Sequence, residues 1–231
     1  MTAPLAWMDV ISTDFPRSVA FYGQVFGWVL RPVVEDDHPY NALAAGDELV
    51  AGAEAIPESK GPPRWTVFVT TDDMSALLKS VLAAGGAVTF DPMQLGDYGI
   101  VAMITDPFDA TIGVWQPLEF DPHSVGAVEG RFAGAELVTA DVAGTVRFLT
   151  EVLGWTVADD DSSGLVTLDA GGYPARLTAG DQSQWRPILR VVSQDSTVEA
   201  IARAGGSADA PRLDGVVVAA DPMGAQFLLA P

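Results

Sequence analysis

The first 28 residues carry a strand pattern followed by a helix pattern. Residues 5–13 (LAWMDVIST) are mostly apolar and predict a buried strand. Asp14 predicts a helix N-cap, because its carboxylate can accept from free backbone N–H groups, and Pro16 suits the first turn. Gly27 predicts the end of that helix. Four residues at three- and four-residue spacing are expected to form its apolar face: Val19, Tyr22, Val25 and Phe26.

The same order of patterns continues along the first half of the chain. Three strands are predicted near 29–33, 40–45 and 48–55, and a strand near 65–70 begins the order again. A helix near 74–84 ends at Gly85-Gly86, and strands are expected near 87–91, 99–104 and 111–115. The first half therefore contains two predicted units of strand, helix and three strands.

The second half of the chain repeats the first. Residues 8–28 align without a gap with residues 135–155, and the segment from Trp65 aligns in the same way with the segment from Trp185. A third match joins the segment from Ile104 to the segment from Ala219. Three matches in one order indicate a duplication. We expect one domain over residues 1–119, a linker over 120–130 without apolar periodicity, and a second domain over 131–231.

Composition excludes several classes of protein. Apolar residues make up 48% of the chain and charged residues 19%, which predicts a packed core. The net charge of −19 opposes binding to nucleic acid or to anionic membranes. Without cysteine, the chain can form neither a disulfide nor a thiolate site. No run spans a bilayer and no signal peptide is recognised, so we expect a cytoplasmic protein, either a monomer or a homodimer.

Short motifs stand at fixed places among these elements: Asp14, Phe21-Tyr22, Phe26-Gly27-Trp28, AAGG at 83–86, Tyr98-Gly99, Asp106-Pro107 and Trp115. This set resembles the vicinal-oxygen-chelate superfamily of glyoxalases, bleomycin resistance proteins and extradiol dioxygenases, in its two-domain actinobacterial form. The second half departs from the pattern, because Leu149 replaces the tyrosine and Asp214-Gly215 replaces the Tyr-Gly turn. Asp109 stands where glycine is usual, and Asp tolerates a left-handed backbone better than most residues.

The resemblance implies an α+β fold in which tandem βαβββ units build two glyoxalase-like domains, with mixed curved sheets forming cups. Metal-dependent members carry His or Glu ligands on the first and last strands of the units. The positions that correspond are Trp7, Gly52, Thr66 and Gly113 in the first domain, and Gly134, Arg186, Leu228 and a fourth near Arg176 in the second. None is a normal ligand of a divalent metal. Because the only histidines, His38 and His123, lie in a loop and in the linker, we expect no metal site and no cofactor.

Side chains two apart on a strand share a face, which brings more residues into the first cup. Asp9 accompanies Trp7, Glu54 accompanies Gly52, Phe68 accompanies Thr66, and Trp115 accompanies Gly113. The glycines are expected to leave room for a flat ligand between aromatic walls. Alternatively, the aromatic side chains fill the cup as core. Desolvation among aromatic neighbours predicts a raised pKa for Asp9.

The same alternation places Glu136 beside Gly134 in the second cup, and Arg190 beside Arg186. We expect an internal ion pair between Glu136 and these arginines, with a carboxylate-binding pocket as the alternative. Four tryptophans are expected to be structural. Trp65 and Trp185 fall on the opposite sheet face, beneath helices, and Trp28 and Trp155 wedge the first helices against their sheets.

These features favour a metal-independent small-molecule-binding protein that takes an aromatic or natural-product-like ligand in the first cup. The alternative is a metal-independent enzyme in which Asp9 or Glu54 transfers a proton, as in an isomerase, cyclase or lyase. A metal-dependent lyase or dioxygenase is disfavoured by the missing ligands. A fourth hypothesis is an interaction protein whose cups are filled.

Overall fold

The computed structural model describes residues 2–34, 39–122, 128–160 and 165–231. Its first half has strands β1 (Leu5–Ser12), β2 (Val29–Val34), β3 (Tyr40–Ala45), β4 (Glu48–Ala55), β5 (Arg64–Thr70), β6 (Ala87–Leu95), β7 (Gly99–Thr105) and β8 (Thr111–Pro117). Its helices are α1 (Phe15–Phe26) and α2 (Met74–Ala83), with a 3₁₀ turn at Glu58–Lys60. The predicted elements of this half are confirmed, with ends that differ by a few residues.

The second half has strands β9 (Phe132–Thr139), β10 (Thr156–Asp160), β11 (Val166–Asp169), β12 (Pro174–Ala179), β13 (Gln184–Arg190), β14 (Ser207–Ala208), β15 (Val217–Ala220) and β16 (Gln226–Ala230). Its helices are α3 (Val142–Leu153) and α4 (Gln194–Arg203). His38, His123 and part of the expected linker lie outside the described residues. Within the described ranges, no helix combines the length and apolar composition needed to cross a bilayer.

The strands form two mixed sheets of the same order. The first runs β2-β3-β4-β1-β5-β8-β7-β6 and the second β10-β11-β12-β9-β13-β16-β15-β14. In each of four strand–helix–three-strand units, the first strand pairs in parallel with the last, while the three strands after the helix pair antiparallel in succession. The parallel pairs place equivalent residues opposite one another: Asp9 and Gly52, Phe68 and Gly113, Glu136 and Arg176, Ile188 and Leu228. The expected α+β fold of tandem βαβββ units is confirmed.

The chain divides into two compact units. A central unit comprises Met1–Ala6, Val67–His123 and Gly134–Trp185. A terminal unit comprises Trp7–Thr66, Ser124–Ala133 and Arg186–Pro231. Each compact unit therefore draws residues from both halves of the sequence.

Helix α1 begins and ends where the sequence predicts. The Asp14 carboxylate accepts from the backbone N–H of Arg17 at 3.4 Å, and Gly27 adopts a left-handed φ of 72°. The predicted apolar face is only partly right, because Val19 and Val25 are half-buried. The buried residues of this helix are Ser18, Phe21, Tyr22 and Phe26. The face is rotated because α1 also packs against α4, which sequence periodicity alone does not reveal.

An Asp-Pro turn joins distant parts of the terminal unit. Asp221 Oδ1 accepts from the backbone N–H groups of Met223 and Ala225, both at 2.9 Å. Its other oxygen, Oδ2, accepts from the Ser18 hydroxyl and the Tyr22 hydroxyl, both at 3.2 Å. Asp221 is buried, so these donors replace the water that the carboxylate loses.

The equivalent turn of the central unit is less well satisfied. Asp106 Oδ1 accepts from the backbone N–H groups of Phe108 and Ala110 at 2.8 Å. Leu149 stands where α1 has Tyr22, and Asp106 Oδ2 has no hydrogen-bond partner among the described residues. Burial raises the pKa of Asp106, although the two backbone N–H groups and the nearby Thr145 hydroxyl lower it in part. The following Asp109 has the expected positive φ, 66°.

The four tryptophans assigned to structural roles are buried. Trp65 meets Tyr22 of α1 edge to face with ring centroids 5.2 Å apart, and Trp28 stacks on Phe26 at 4.8 Å. In the central unit, Trp155 and Trp185 meet edge to face at 6.2 Å. The expected positions of Trp65 beneath a helix and of Trp28 beside the end of α1 are confirmed.

Candidate functional site

Three strands of the terminal unit bring an indole, a carboxyl and a phenol together. Trp7 and Asp9 lie on the same face of β1 because they are two residues apart. Asp9 is opposite Gly52 in the parallel β1–β4 pair, and Ala42 of β3 is opposite Gly52 on the other side. Tyr40, two residues before Ala42, therefore extends over Gly52 toward Asp9.

These three side chains form a directed hydrogen-bond chain. The Trp7 indole Nε1–H donates to the Tyr40 hydroxyl oxygen at 3.0 Å, and the Tyr40 hydroxyl donates to Asp9 Oδ1 at 2.9 Å. An indole N–H can only donate and an ionised carboxylate can only accept, so these two ends set the direction of the chain. Trp7 is buried, whereas Asp9 and Tyr40 are half-buried. The polar end of the chain is thus partly accessible.

The room expected above Gly52 is already occupied. A Cβ atom at this position would overlap with Asp9 Oδ1 and with the Tyr40 hydroxyl oxygen. The expectation of an open space for a flat ligand is therefore wrong at Gly52. The physical reason is that Tyr40, 31 residues from Asp9, reaches over the glycine to satisfy the carboxylate.

Burial dominates the acid–base properties of this group. It raises the pKa of Asp9 from 3.8 to about 7, and the nearby Glu54 carboxylate raises it further. Hydrogen bonds from Tyr40, Trp7 and the Gly52 backbone act in the opposite direction. Burial and the adjacent Asp9 charge also raise the pKa of Tyr40, so its hydroxyl stays protonated. The direction for Asp9 agrees with the desolvation expected from the sequence.

Charged side chains flank Asp9 on the neighbouring strands. Glu54 is exposed at the end of β4, while Arg64 and Thr66 of β5 are half-buried. Burial raises the pKa of Glu54, and the positive charge of Arg64 partly lowers it. Burial lowers the pKa of Arg64, with Glu54 opposing that change. Arg64 therefore acts on Glu54, and the charge that acts on Asp9 is the Glu54 carboxylate.

Two of the aromatic residues expected in the first cup, Phe68 and Trp115, belong to the central unit and are buried there, whereas Trp7 belongs to the terminal unit. The Phe68 ring occupies the place that a Cβ atom at Gly113 would need, and the Trp115 indole lies over Gly99 in the same way. Trp115 Nε1 donates to the Phe120 carbonyl at 3.4 Å, and the two rings meet edge to face at 6.1 Å. The expectation of open space above Gly113 is wrong, because its cross-strand partner Phe68 fills it.

The residues expected in the second cup are distributed over both compact units. Glu136 is fully buried in the central unit, and the register of β9 and β12 places it opposite Arg176. In the terminal unit, Arg186 Nη1 donates to Gln226 Oε1 at 3.4 Å. Arg190 ends β13 and is exposed. Its predicted inward position is wrong, because the strand ends there and the side chain reaches solvent.

The residues at the family's metal positions do not fit a divalent metal. Trp7 presents an N–H donor, and Gly52 and Gly113 present no side chain at all. The space beside each glycine holds the protein's own side chains. Among residues 2–34, 39–122, 128–160 and 165–231, no three His, Asp or Glu side chains stand together as a metal-binding group.

Sequence reasoning missed Tyr40 as a member of the site. The sequence predicts its strand, but the face of β3 on which Tyr40 lies relative to Asp9 is known only once Ala42 is known to lie opposite Gly52. A pleated register between strands far apart in sequence is a tertiary property. The contact of Phe120 with Trp115 was missed because the residues after β8 carry no periodic pattern.

Comparisons with known proteins agree with this architecture. The model of the Glyoxalase/Bleomycin resistance protein/Dioxygenase superfamily matches residues 5–114, and the model of the Glyoxalase-like domain matches residues 135–230. The anthracycline biosynthesis protein DnrV of Streptomyces peucetius is 31% identical over 90% of this chain and 86% of its own length. The chain belongs to the glyoxalase, bleomycin resistance protein and dioxygenase superfamily.

Two further similarities are informative. A Mycobacterium tuberculosis protein, the candidate glyoxylase CFP32, is 29% identical over 96% of this chain and 92% of its own length. The Mn(II)-bound glyoxalase from Novosphingobium aromaticivorans superposes with a TM-score of 0.74 at 17% identity, covering 99% of this chain and 81% of that one. At this identity, the structural similarity concerns the fold alone.

Proposed function

We propose that this superfamily member binds a flat, aromatic, natural-product-like small molecule without using a metal ion. The observation that carries the proposal is the Trp7–Tyr40–Asp9 chain, in which Trp7 stands at a position where metal-dependent relatives are expected to hold a ligand. An apolar surround with a few oriented polar groups is typical of small-molecule sites. We expect the protein to act in the cytoplasm, as a monomer or a homodimer.

The ligand is expected to contact the accessible edges of the half-buried polar side chains, rather than to enter a preformed slot above the glycines. Asp9, Tyr40 and Thr66 are half-buried, so each can present a polar atom to a bound molecule. Trp115 and Phe68 are buried in the central unit, and their role in binding is a separate part of the proposal. The natural-product class is supported by the relative named for anthracycline biosynthesis.

The test combines metal analysis with titration of tryptophan fluorescence. After extensive dialysis, elemental analysis should find far less than one equivalent of Zn, Ni, Fe or Mn per chain. The probe 1,8-dihydroxyanthraquinone should quench fluorescence saturably, with an altered affinity in Asp9→Asn and weaker binding in Tyr40→Phe. Trp115→Ala tests the central-unit residues. Asp97→Asn, which removes an exposed carboxylate, serves as the control and should bind as wild type does. A full equivalent of metal would contradict the metal-independent part, and unsaturable quenching would contradict the ligand class.

A second candidate function is proton-transfer catalysis by Asp9. A carboxyl with a pKa near 7 can donate and accept a proton at neutral pH, which is the condition for general acid–base catalysis. Glu54 is exposed and is the weaker candidate. Incubation with 2-tetralone in D2O at pH 7 should then give deuterium exchange beside the carbonyl, measured by NMR, which Asp9→Asn abolishes. Exchange equal to that in buffer would exclude this activity for aromatic ketones.

A further inference from the structure

The direction of the hydrogen bonds around Asp9 determines what its carboxyl can recognise. Trp7 Nε1–H donates to the Tyr40 oxygen, so the Tyr40 proton is directed at Asp9 Oδ1. The hydrogen bonds from Trp7 and from the Gly52 backbone lower the pKa of Asp9, which is the effect of donors on a carboxylate. In every hydrogen bond of Asp9 among the described residues, a neighbouring group thus donates and the Asp9 carboxyl accepts.

Among the described residues, the hydrogen bonds of Asp9 are all received by its carboxyl, which donates none to a protein acceptor. Asp9 nevertheless binds a proton readily, because burial favours its neutral form. While the Tyr40 hydrogen points at Oδ1, the proton of a neutral Asp9 sits on the other carboxyl oxygen, Oδ2, rather than between Asp9 and Tyr40. The proton of a neutral Asp9 is therefore available to an acceptor atom of a bound molecule at the half-exposed side of the carboxyl.

The surrounding charges select the kind of acceptor. The groups that face Asp9 from the neighbouring strands are Tyr40 on β3, the Glu54 carboxylate on β4, and Arg64 on β5, whose charge acts on Glu54. Glu54 is exposed beside the site, and the whole chain carries a net charge of −19. An anionic ligand would be repelled, whereas a neutral carbonyl oxygen accepts a hydrogen bond without adding charge.

We propose that Asp9 recognises an uncharged carbonyl oxygen, of a ketone or quinone, by donating its carboxyl proton, and that Tyr40 and Trp7 are positioning residues for that proton. This inference rests on the proposed function, because it assigns a substrate class to the same site. Binding should be strongest in the pH range where Asp9 is neutral. Tyr40 and Trp7 act through Asp9 and need not touch the ligand.

A matched series of flat probes tests the inference: 9-fluorenone, fluorene and fluorene-9-carboxylate. Affinities are measured by fluorescence titration between pH 5.5 and pH 8. Fluorenone should bind about tenfold more weakly at pH 8, because a carboxyl with a pKa near 7 is then about nine-tenths ionised. Fluorene should show no such dependence, and fluorene-9-carboxylate should bind more weakly than fluorenone throughout. In Asp9→Asn, whose amide donates at every pH, fluorenone binding should no longer change with pH.

The positioning role has its own readout in the free protein. The ¹³C chemical shift of the Asp9 carboxyl reports its titration directly. Tyr40→Phe removes a donor and should raise the Asp9 pKa, whereas Tyr22→Phe should leave it unchanged. Tyr22 is a matched control, because its hydroxyl also donates to a buried aspartate, Asp221, in the same compact unit.

The outcomes separate this inference from the proposed function. If none of the three probes binds, the proposed function fails and the inference falls with it. If fluorene and fluorenone bind equally with the same pH dependence, aromatic binding stands and carbonyl recognition is overturned. If fluorene-9-carboxylate binds as well as fluorenone, the selection for uncharged ligands is overturned. An unchanged Asp9 pKa in Tyr40→Phe would remove Tyr40 as a positioning residue.

Discussion

At the scale of single residues, two equivalent acids of the repeat face different cross-strand partners. Asp9 and Glu136 occupy the same position of the sequence repeat. Asp9 lies opposite Gly52, which offers no charge, and its pKa rises to about 7. Glu136 lies opposite Arg176, which offers a positive charge. The first arrangement suits proton exchange, whereas the second places a carboxyl opposite a basic side chain, as in a structural pair.

The raised pKa of Asp9 predicts a pH dependence of stability. Because the folded protein holds this proton more tightly than the unfolded chain, stability should fall as the pH rises from about 4 through about 7. The rise from 3.8 to about 7 sets an upper limit of about 4 kcal/mol, which the partial exposure of Asp9 reduces. In Asp9→Asn, the free energy of unfolding should therefore decrease less between pH 5 and pH 8 than it does in the wild type.

Urea unfolding at both pH values measures the effect. The exposed Asp97→Asn serves as the control and should follow the wild-type curve. Burial also raises the pKa values of Glu54 and Asp106, so a smaller decrease should persist in Asp9→Asn. A decrease of the same size in Asp9→Asn and wild type would mean that Asp9 is ionised at little cost in the folded protein.

At the scale of elements, the two halves use one turn motif with different helix partners. The Asp221 turn receives hydroxyl donors from Ser18 and Tyr22 of α1. In α3 the tyrosine is replaced by Leu149, and Asp106 Oδ2 has no hydrogen-bond partner among the described residues. The same Asp-Pro sequence therefore gives a fully bonded carboxylate in one unit and an incompletely bonded one in the other.

The difference predicts opposite effects of one substitution at the two turns. Asp221→Asn replaces an oxygen that accepts from two hydroxyls by an N–H donor, and should cost about 1–3 kcal/mol of unfolding free energy. Asp106→Asn keeps the bonds of Oδ1 and removes a poorly solvated charge, so it should stay within about 1 kcal/mol of wild type or stabilise. Chemical unfolding at pH 7 compares the two variants. Equal losses would show that the backbone bonds of the turn, rather than the helix donors, decide its stability.

At the scale of the whole molecule, each compact unit takes one βαβββ unit from each half of the chain. The terminal unit combines residues 7–66 with residues 186–231. Within it, the Phe227 ring lies 6.4 Å from Phe21 and 6.1 Å from Tyr22. In the central unit, the Ser183 hydroxyl donates to the Phe108 carbonyl at 2.6 Å. The halves that the sequence repeat defines therefore share their cores.

Dividing the chain between its halves should expose these cores. Fragments 1–122 and 123–231, produced separately, should self-associate or bind a hydrophobic dye, because apolar residues such as Phe21 and Phe227 lose their partners. Mixing the fragments should restore a complex of the mass of the whole chain, as measured by size-exclusion chromatography and circular dichroism. A monomeric fragment 1–122 that unfolds cooperatively would instead support independent folding of residues 1–119.

The sequence by itself determined the elements, the repeat and the residue types at the family's ligand positions. Asp14 and Gly27 bound α1 because capping and left-handed turns depend on one residue and its immediate neighbours. The positive φ of Asp109 follows from the same local preferences. The unsuitable residues at Trp7 and Gly52 are likewise visible in the sequence, because a metal ligand requires a specific side-chain type.

Only the tertiary structure decided which residues fill the spaces between these elements. Tyr40 reaches Asp9 over Gly52, and Phe68 covers Gly113, because the strand registers bring them together. Ser18 is buried because Asp221, 203 residues away, needs its hydroxyl. Local patterns specify periodicity and caps, whereas packing and desolvation depend on atoms from distant segments that share one volume. The proton affinity of Asp9 belongs to this second group, since it results from burial among residues of three strands.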